Sequence, residues 1–360
     1  MSIDIVESIF ALKSKLLSCL NNDYFLRVSS VSQAKIGATF VPEYFDNQET
    51  NMLILRTIVE DFGMQYIRIG IRWDRTQPNK SLPTLEYYRQ YLDYLYSKSV
   101  NITFSLGPIK SPRWPEYFIP KWILDTCKCP AHGCTINTKE DLSQFAFDYL
   151  DSIVNLLKKE IPKTQLNKHI FEIENECYNP FGKYQWIFSD GYLNICYRTI
   201  RKKFSNNLIS FSSSGSRNYI NILNLSNSYK LNPKGIIINC NYYYIFDKNY
   251  NDPFAFLYDD WVRYNKKTIR EIKKEADSNK FLIGIGEAQM EPWKRAKTPG
   301  NTIRSLRFVL DRVIRIRPNN QKLFVINLWG IEELVNKSII NQSTKEHILM
   351  IDLIKKISNK

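Results

Sequence analysis

Eight short apolar segments, spread along the chain from residue 35 onward, constrain the fold more than any other feature of this sequence. They are rich in β-branched and aromatic residues and alternate with helical, amphipathic stretches. The segments predicted as strands are residues 35–40, 65–71, 101–106, 170–176, 207–212, 235–241, 281–287 and 322–328. Apolar strands that alternate with helices are typical of a parallel sheet covered by helices. A (β/α)8 TIM barrel closes with eight such strands, which is the number predicted here.

An open, doubly wound sheet is the structural alternative to the barrel. Such a sheet normally has a Gly-rich phosphate loop after its first strand, and Ile36-Gly-Ala-Thr-Phe-Val-Pro42 is not one. No low-complexity linker divides the chain, so we predict an α/β protein whose barrel covers residues 35–360. Residues 1–34 are predicted to form an N-terminal helical extension, because residues 4–20 place apolar side chains at helical spacing.

The charge balance and the cysteine content limit the classes of partner and compartment. Lys and Arg number 50 against 36 Asp and Glu, and the net charge of +14 raises nucleic acid as a partner. Because the basic residues are spread along the chain, we predict no nucleic-acid binding. No apolar run approaches the ~20 residues of a membrane span, and the first residues do not resemble a secretory signal. With seven cysteines, an odd number, these features predict a cytoplasmic protein without a membrane span.

Two of the predicted strands end in a glutamate that interrupts an otherwise apolar segment. Phe171-Glu-Ile-Glu-Asn-Glu176 closes the fourth strand, and Phe281-Leu-Ile-Gly-Ile-Gly-Glu287 closes the seventh. A carboxylate at the end of a buried strand costs free energy unless it is paired or used. In a barrel the carboxyl ends of all strands meet at one mouth, where active sites are built. Two carboxyl groups brought together there are the arrangement that glycoside hydrolysis needs.

Four sequence runs at the predicted strand ends carry a resemblance to a known group of enzymes. They are Pro112-Arg-Trp-Pro-Glu116, Ile173-Glu-Asn-Glu176, Gly286-Glu-Ala-Gln-Met-Glu-Pro-Trp293 and Leu328-Trp-Gly-Ile-Glu332. In this order, on successive strands, they resemble clan A of the glycoside hydrolases, and within it a poorly characterised branch of the cellulase-like family 5. The resemblance extends from about Ile36 to Glu332.

The resemblance implies a role for several residues. Glu176 would be the general acid/base and Glu287 the nucleophile of a retaining mechanism, in which the two carboxyl groups lie about 5–5.5 Å apart. Asn175 would bind the sugar 2-hydroxyl, while Arg68 and Tyr243 would hold Glu287 ionised and oriented. An apolar floor for the sugar would come from Trp329. The other candidates for substrate binding are Trp73, Trp114, Trp293, Asn241 and Lys110.

The implied function is that of a retaining β-glycoside hydrolase, which acts on an oligosaccharide, polysaccharide or glycoconjugate and uses no cofactor. The alternative is an inactive carbohydrate-binding TIM barrel, which would keep the tryptophans and tolerate the loss of one carboxylate. The chain retains both carboxylates, which favours the enzyme. Family 5 enzymes usually carry histidines after strands three and six, whereas this chain has only His132, His169 and His347. Its substrate contacts are therefore expected to differ from those of cellulases.

Two local patterns leave alternatives open. Glu172, Glu174 and Glu176 all point to one side of a strand by the period-two rule; Glu176 is preferred because it follows Asn175 directly. Glu174 is predicted to support Arg68 or Lys110. Near the seventh strand, Glu291 competes with Glu287 but lies beyond the strand.

The segment Cys127-Lys-Cys-Pro-Ala-His-Gly-Cys134 contains three Cys and one His, which are ligand types that suit zinc. Their spacing fits no standard zinc site. We therefore predict no metal. The simpler interpretation is a loop of unpaired thiols, or a disulfide if the protein is exported, and a structural zinc is the alternative.

Overall fold

A computed structural model of the chain has eight parallel strands that close into a barrel. It describes residues 34–242, 281–290, 303–314 and 323–358, together with residues 271, 273, 274, 277, 278 and 321. The barrel strands are β1 Ala34–Phe40, β2 Tyr66–Gly70, β3 Asn101–Ser105, β4 Ile170–Ile173, β5 Leu208–Ser214, β6 Ile236–Tyr242, β7 Leu282–Gln289 and β8 Phe324–Trp329. They follow chain order around the barrel, and β8 pairs with β1 to close it. The predicted (β/α)8 TIM barrel is thus confirmed.

Helices and short irregular turns connect the strands. The α-helices are Gln48–Arg56, Trp73–Thr76, Arg89–Ser97, Lys121–Thr126, Asp141–Glu160, Asp190–Lys203, Gly215–Ser228, Ile303–Ile314, Ile331–Ile339 and Lys345–Ser358. Residues Thr57–Asp61 form a π-helical turn, and Glu86–Tyr88, Leu166–Lys168 and Pro233–Gly235 form 3-10 turns. Two-residue strands, Thr135–Ile136 and Ile187–Phe188, pair outside the barrel. The predicted N-terminal extension lies outside the described residues apart from Ala34.

Along each strand, apolar side chains face the helices and alternate with side chains that face the barrel interior. In β4 the ring of Phe171 stacks on Phe204, with centroids 3.9 Å apart, whereas the next residue, Glu172, binds Arg68 inside the barrel. In β5, Phe211 stacks on Tyr197 of the neighbouring helix. Burial of each large apolar side chain contributes about 1.5–3 kcal/mol. The outer layer therefore stabilises the barrel and leaves the inner positions near the mouth open to polar residues.

The helix Asp190–Lys203 illustrates how the outer layer also supports the mouth. Ser189 caps it by accepting a hydrogen bond from the backbone N–H of Tyr192, and basic residues occupy its last turn. Its buried face carries Tyr192, whose hydroxyl donates to Glu174 over 2.7 Å. Within the residues that the structure describes, no helix is long and apolar enough to span a membrane.

The fourth strand is shorter than predicted. It ends at Ile173 instead of Glu176, and both Glu174 and Glu176 have left-handed φ angles, of 33° and 44°. The backbone turns here because it packs against the loop after β3, where the N–H of Asn175 donates to the carbonyl of Lys110. A Cβ at Gly107 would lie 2.6 Å from the Cα of Glu174, so only glycine permits this close approach.

Candidate active site

Arg68 of β2 lies inside the barrel and links β4, β7 and the segment after β4. Its guanidinium donates three hydrogen bonds to the Glu172 carboxylate over 2.6–3.1 Å. It also donates one to Glu287 Oε1 and one to Asn175 Oδ1, each over 2.8 Å. Burial by itself lowers the pKa of Arg68, but the two carboxylates more than offset this effect and raise it. A fully buried cation is stable here because two anions and a side-chain amide satisfy it.

Glu287 lies on β7 opposite Asn241 of β6, beside an irregularity in the register of the two strands. Its carboxylate is almost fully buried and ion-paired with Arg68. A Cβ at Gly286 would lie 2.7 Å from Asn241 Oδ1, so the Gly-Ile-Gly segment leaves room for the asparagine. Bulges of this kind re-aim side chains at active sites. The geometry thus places a permanent cation directly beside this carboxylate.

Glu176 has a different environment, made of neutral amides. Asn241 Nδ2 donates to its Oε1 over 2.8 Å, and Asn179 Nδ2 donates to its Oε2 over 2.6 Å. Asn241 is therefore both the register partner of Glu287 and a hydrogen-bond donor to Glu176. This shared neighbour brings the two predicted carboxyls to one place. One carboxyl is paired with a guanidinium and the other only with amides, which is the asymmetry that separates acid and base roles.

Asn175 has its side-chain oxygen fully engaged. Oδ1 accepts from Arg68 over 2.8 Å and from the hydroxyl of Ser212 over 3.3 Å. Because both of its contacts with described residues are to the oxygen, the amide nitrogen can bind a ligand hydroxyl. Asn175, Arg68, Asn241 and the two glutamates therefore lie together, as their predicted roles require.

The structure pairs Glu174 with Lys110, one of the two partners predicted for it, and not with Arg68. The main partner of Arg68 is Glu172, which also accepts from Asn239 Nδ2 over 3.3 Å. Glu174 instead accepts hydrogen bonds from the hydroxyl of Tyr192 and from the backbone N–H of Lys110, the latter over 2.6 Å. Burial raises the pKa of Glu174 to about 7, although these hydrogen bonds act in the opposite direction. Glu174 thus fixes the loop after β3 and does not contact Arg68.

Lys110, one of the residues predicted to bind substrate, is fully buried and engaged with neighbouring protein groups. Its ammonium donates to the backbone carbonyls of Asn179 and Glu176, over 2.8 and 3.3 Å. The third neighbour is the carboxyl of Glu116, 3.2 Å away. Sequence reasoning did not include Glu116 among the site residues, although it closes the Pro112–Glu116 run that carries part of the resemblance.

Burial, together with the negative charges of Glu176 and Glu287, raises the pKa of Glu116 to about 8, against the opposing effect of Lys110. All three carboxyls are therefore close enough to interact.

The predicted aromatic residues fall into three groups. Trp329 ends β8 and is nearly buried, with the Arg113 guanidinium 5.8 Å from its ring. Trp114 is 64 % exposed and packs edge-on against Phe181 at 5.6 Å. Trp73 is buried in the core, where it stacks on Tyr149, so it cannot stack on a sugar. The remaining two predicted residues, Tyr243 and Trp293, lie outside the described part of the chain.

The cysteine-rich loop is separate from this site. Among the described residues, no group of three or more His, Cys, Asp or Glu side chains is arranged to hold a metal ion. Cys127 and Cys129 have their sulfur atoms 4.0 Å apart, and neither forms a disulfide.

Comparison with known proteins identifies relatives by structure only. No protein-family model and no curated protein sequence matches the chain. A family 5 lichenase from Caldicellulosiruptor sp. F32 matches with a TM-score of 0.56 and 15% identity, over 93% of this chain and 95% of the lichenase. A family 5 xyloglucanase from Paenibacillus pabuli matches with a TM-score of 0.56 and 12% identity, over 91% and 99%. A family 10 endoxylanase from a sugarcane soil metagenome matches with a TM-score of 0.55 and 12% identity, over 92% and 99%.

At these identities the likeness establishes the fold alone. A family 39 enzyme from Xanthomonas axonopodis pv. citri is also similar, with a TM-score of 0.54. Families 5, 10 and 39 all belong to clan A, so the matches support the resemblance to clan A and do not single out family 5.

Proposed function

We propose that this protein is a retaining β-glycoside hydrolase that cleaves O-glycosidic bonds of an oligosaccharide, polysaccharide or glycoconjugate by double displacement. One observation carries the proposal: two buried carboxyls meet at the barrel mouth, and their partners differ in charge. Glu287 is paired with the Arg68 guanidinium, whereas Glu176 accepts hydrogen bonds from the amides of Asn241 and Asn179. The clan A neighbours support glycosidase activity in general.

The different partners suit the two carboxyls to different steps. Arg68 keeps Glu287 ionised, so that it can attack the anomeric carbon and form a covalent glycosyl–enzyme intermediate. Among the described residues, Glu176 has amides and no cation on its carboxyl group, so it can hold a proton for the leaving oxygen and later take one from water. The amide nitrogen of Asn175 donates to the sugar 2-hydroxyl. Every group required for double displacement thus comes from the chain itself.

Aromatic residues supply surfaces for the sugar rings. Trp329, at the end of β8, forms the floor beneath the sugar whose bond is cut. The exposed pair Trp114 and Phe181 lies on the side of Glu176, since the N–H of Phe181 donates to the carbonyl of Asn179 over 2.8 Å. Glu176 protonates the leaving group, so this pair would stack on a sugar of the leaving group.

Mechanism-based labelling tests the proposal directly. We expect one member of a panel of activated 2-deoxy-2-fluoro β-glycosides to inactivate the enzyme and to label Glu287, as mapped by peptide mass spectrometry. Glu287→Gln should abolish both labelling and turnover of the matching aryl β-glycoside. Glu176→Gln should lower turnover by about 10²–10⁴-fold.

The surface variant Glu60→Gln serves as the control and should retain full activity. A label on another residue would refute the assignment of the nucleophile. Sugar binding without turnover of any panel member would refute the enzyme and favour the carbohydrate-binding alternative.

A further inference from the structure

Glu116 is a third carboxyl at the candidate site that double displacement does not use. It belongs to the loop after β3 and is only 5 % exposed. A buried carboxyl is costly unless a partner stabilises it, and its cationic partner here is the ammonium of Lys110, 3.2 Å away. The ammonium itself is fully buried. The two residues therefore form an ion pair that solvent does not screen.

A short chain of contacts connects this ion pair to Glu176. The Lys110 ammonium donates to the carbonyl of Asn179 over 2.8 Å and to the carbonyl of Glu176 over 3.3 Å. The side chain of Asn179 in turn donates to Glu176 Oε2 over 2.6 Å. Lys110 thus holds the backbone of the acid/base candidate and of the residue that orients its carboxyl.

The loop that presents Glu116 is held in a strained conformation. Glu116 and Arg113 have left-handed φ angles of 71° and 99°. Backbone hydrogen bonds fix this shape: the N–H of Glu116 donates to the carbonyl of Arg113 over 2.6 Å, and the N–H of Ser111 donates to the carbonyl of Glu116 over 2.9 Å. Strain of this kind persists only where the surroundings enforce it, and it is concentrated at functional sites.

We propose that Glu116 is a positioning residue that acts through Lys110: it anchors the ammonium that holds Glu176 and Asn179. The inference rests on the proposed function, because it assigns Glu116 a task in the acid/base step. Among the described residues, the charged or titratable groups that interact with Glu116 include Lys110 and Tyr117 from its own loop, Glu176 from the segment after β4 and Glu287 from β7.

The effect of Glu116 should depend on pH in a particular direction. Burial raises the pKa of its carboxyl, so the group is neutral under acidic conditions and becomes charged as the pH rises. The ion pair with Lys110 therefore strengthens as the pH rises, and the contribution of Glu116 to the rate should grow with it. Loss of a purely structural residue would lower the rate to the same extent at every pH.

Glu116→Gln tests the proposal, since it keeps the shape of the side chain and removes the charge. We expect kcat to fall about 10-fold with little change in KM at a pH where the wild-type carboxyl is charged. The loss should be smaller under acidic conditions, where the wild-type carboxyl is already neutral. Lys110→Met should lower kcat further, and the double variant should be no worse than Lys110→Met, because both changes interrupt one chain of contacts.

Glu43→Gln is the matched control. Glu43 has a buried carboxyl that also lies near the mouth. It accepts a hydrogen bond from the hydroxyl of Tyr88 over 2.7 Å and lies 3.8 Å from the Arg72 guanidinium. No hydrogen bond within the described part of the chain links Glu43 to Glu176. This variant should leave kcat unchanged across the pH range. An equal loss of kcat at every pH in Glu116→Gln, an unchanged kcat, or additive losses in the double variant would overturn the proposal.

Hydrogen exchange separates failure of this inference from failure of the proposed function. If the wild-type protein hydrolyses no glycoside, the proposed function fails, yet the positioning role still predicts faster amide exchange over residues 174–182 in Glu116→Gln than in Glu43→Gln. Equal exchange in the two variants would refute the positioning role. If Glu176→Gln and Glu287→Gln are inactive while Glu116→Gln keeps the wild-type profile, only the positioning role is refuted.

Discussion

Replacement of Arg68 by lysine tests how far the site depends on one side chain. Arg68 donates five hydrogen bonds, three of them to Glu172 and one each to Glu287 and Asn175. Lysine keeps the positive charge, but it has three donors at a single point and cannot reproduce the planar fork of a guanidinium. We expect the ammonium to stay with one carboxylate and to leave the other without its charged donor.

The magnitude follows from the contacts that are lost. A hydrogen bond to a charged group contributes about 1.5–3 kcal/mol, and at least two of the five cannot be reproduced, so Arg68→Lys should cost about 3–6 kcal/mol. If the ammonium stays with Glu172, which has most of the contacts, the proposed nucleophile Glu287 loses its orientation. Formation of the covalent intermediate should then slow by about 10²–10³-fold.

Two measurements separate stability from catalysis. Chemical denaturation gives the loss of stability, and the rate of inactivation by a 2-deoxy-2-fluoro glycoside gives the rate of the first chemical step. Arg75→Lys, at an exposed arginine, is the matched control and should be neutral in both assays. A wild-type inactivation rate in Arg68→Lys would refute the claim that the guanidinium orients Glu287.

Three further predictions follow from individual contacts. Asn241→Asp replaces an amide donor 2.8 Å from Glu176 Oε1 with a second carboxyl. The added negative charge should make Glu176 hold its proton more tightly, so the alkaline limb of kcat/KM should move to higher pH. An unchanged limb would contradict this contact. Trp114→Ala should raise the KM for oligosaccharides about 3- to 10-fold and leave the KM for aryl monoglycosides unchanged. Leu82→Ala, at another exposed apolar residue, is the control and should leave both KM values unchanged. The pKa of Glu174 is raised to about 7 in the folded protein, so this group should reduce the free energy of unfolding by up to roughly 3 kcal/mol as the pH rises from about 4.5 to 7. Denaturation curves of Glu174→Gln across that range should lack this loss. The same pH dependence in the variant and the wild type would contradict the prediction.

Periodicity along the chain was enough to predict the architecture. A parallel strand buried on both sides has a recognisable local composition, and its bounds in the structure differ from the predicted ones by only a few residues. The position of a residue at a strand end also follows from local sequence, which is why Glu176, Glu287, Arg68 and Asn175 could be placed at one mouth. These properties depend on neighbours along the chain, so the sequence by itself determines them.

Contacts between distant segments decided the partners of each residue. Period-two alternation puts Glu172, Glu174 and Glu176 on one side, but it holds only while the strand continues, and β4 ends at Ile173. The loop after β3, which is more than 60 residues away along the chain, turns the backbone and gives each glutamate a different partner. The same loop buries Lys110 and brings Glu116 to the site. No local pattern records such contacts, so only the tertiary structure distinguishes a carboxyl that holds a loop from one that can transfer a proton.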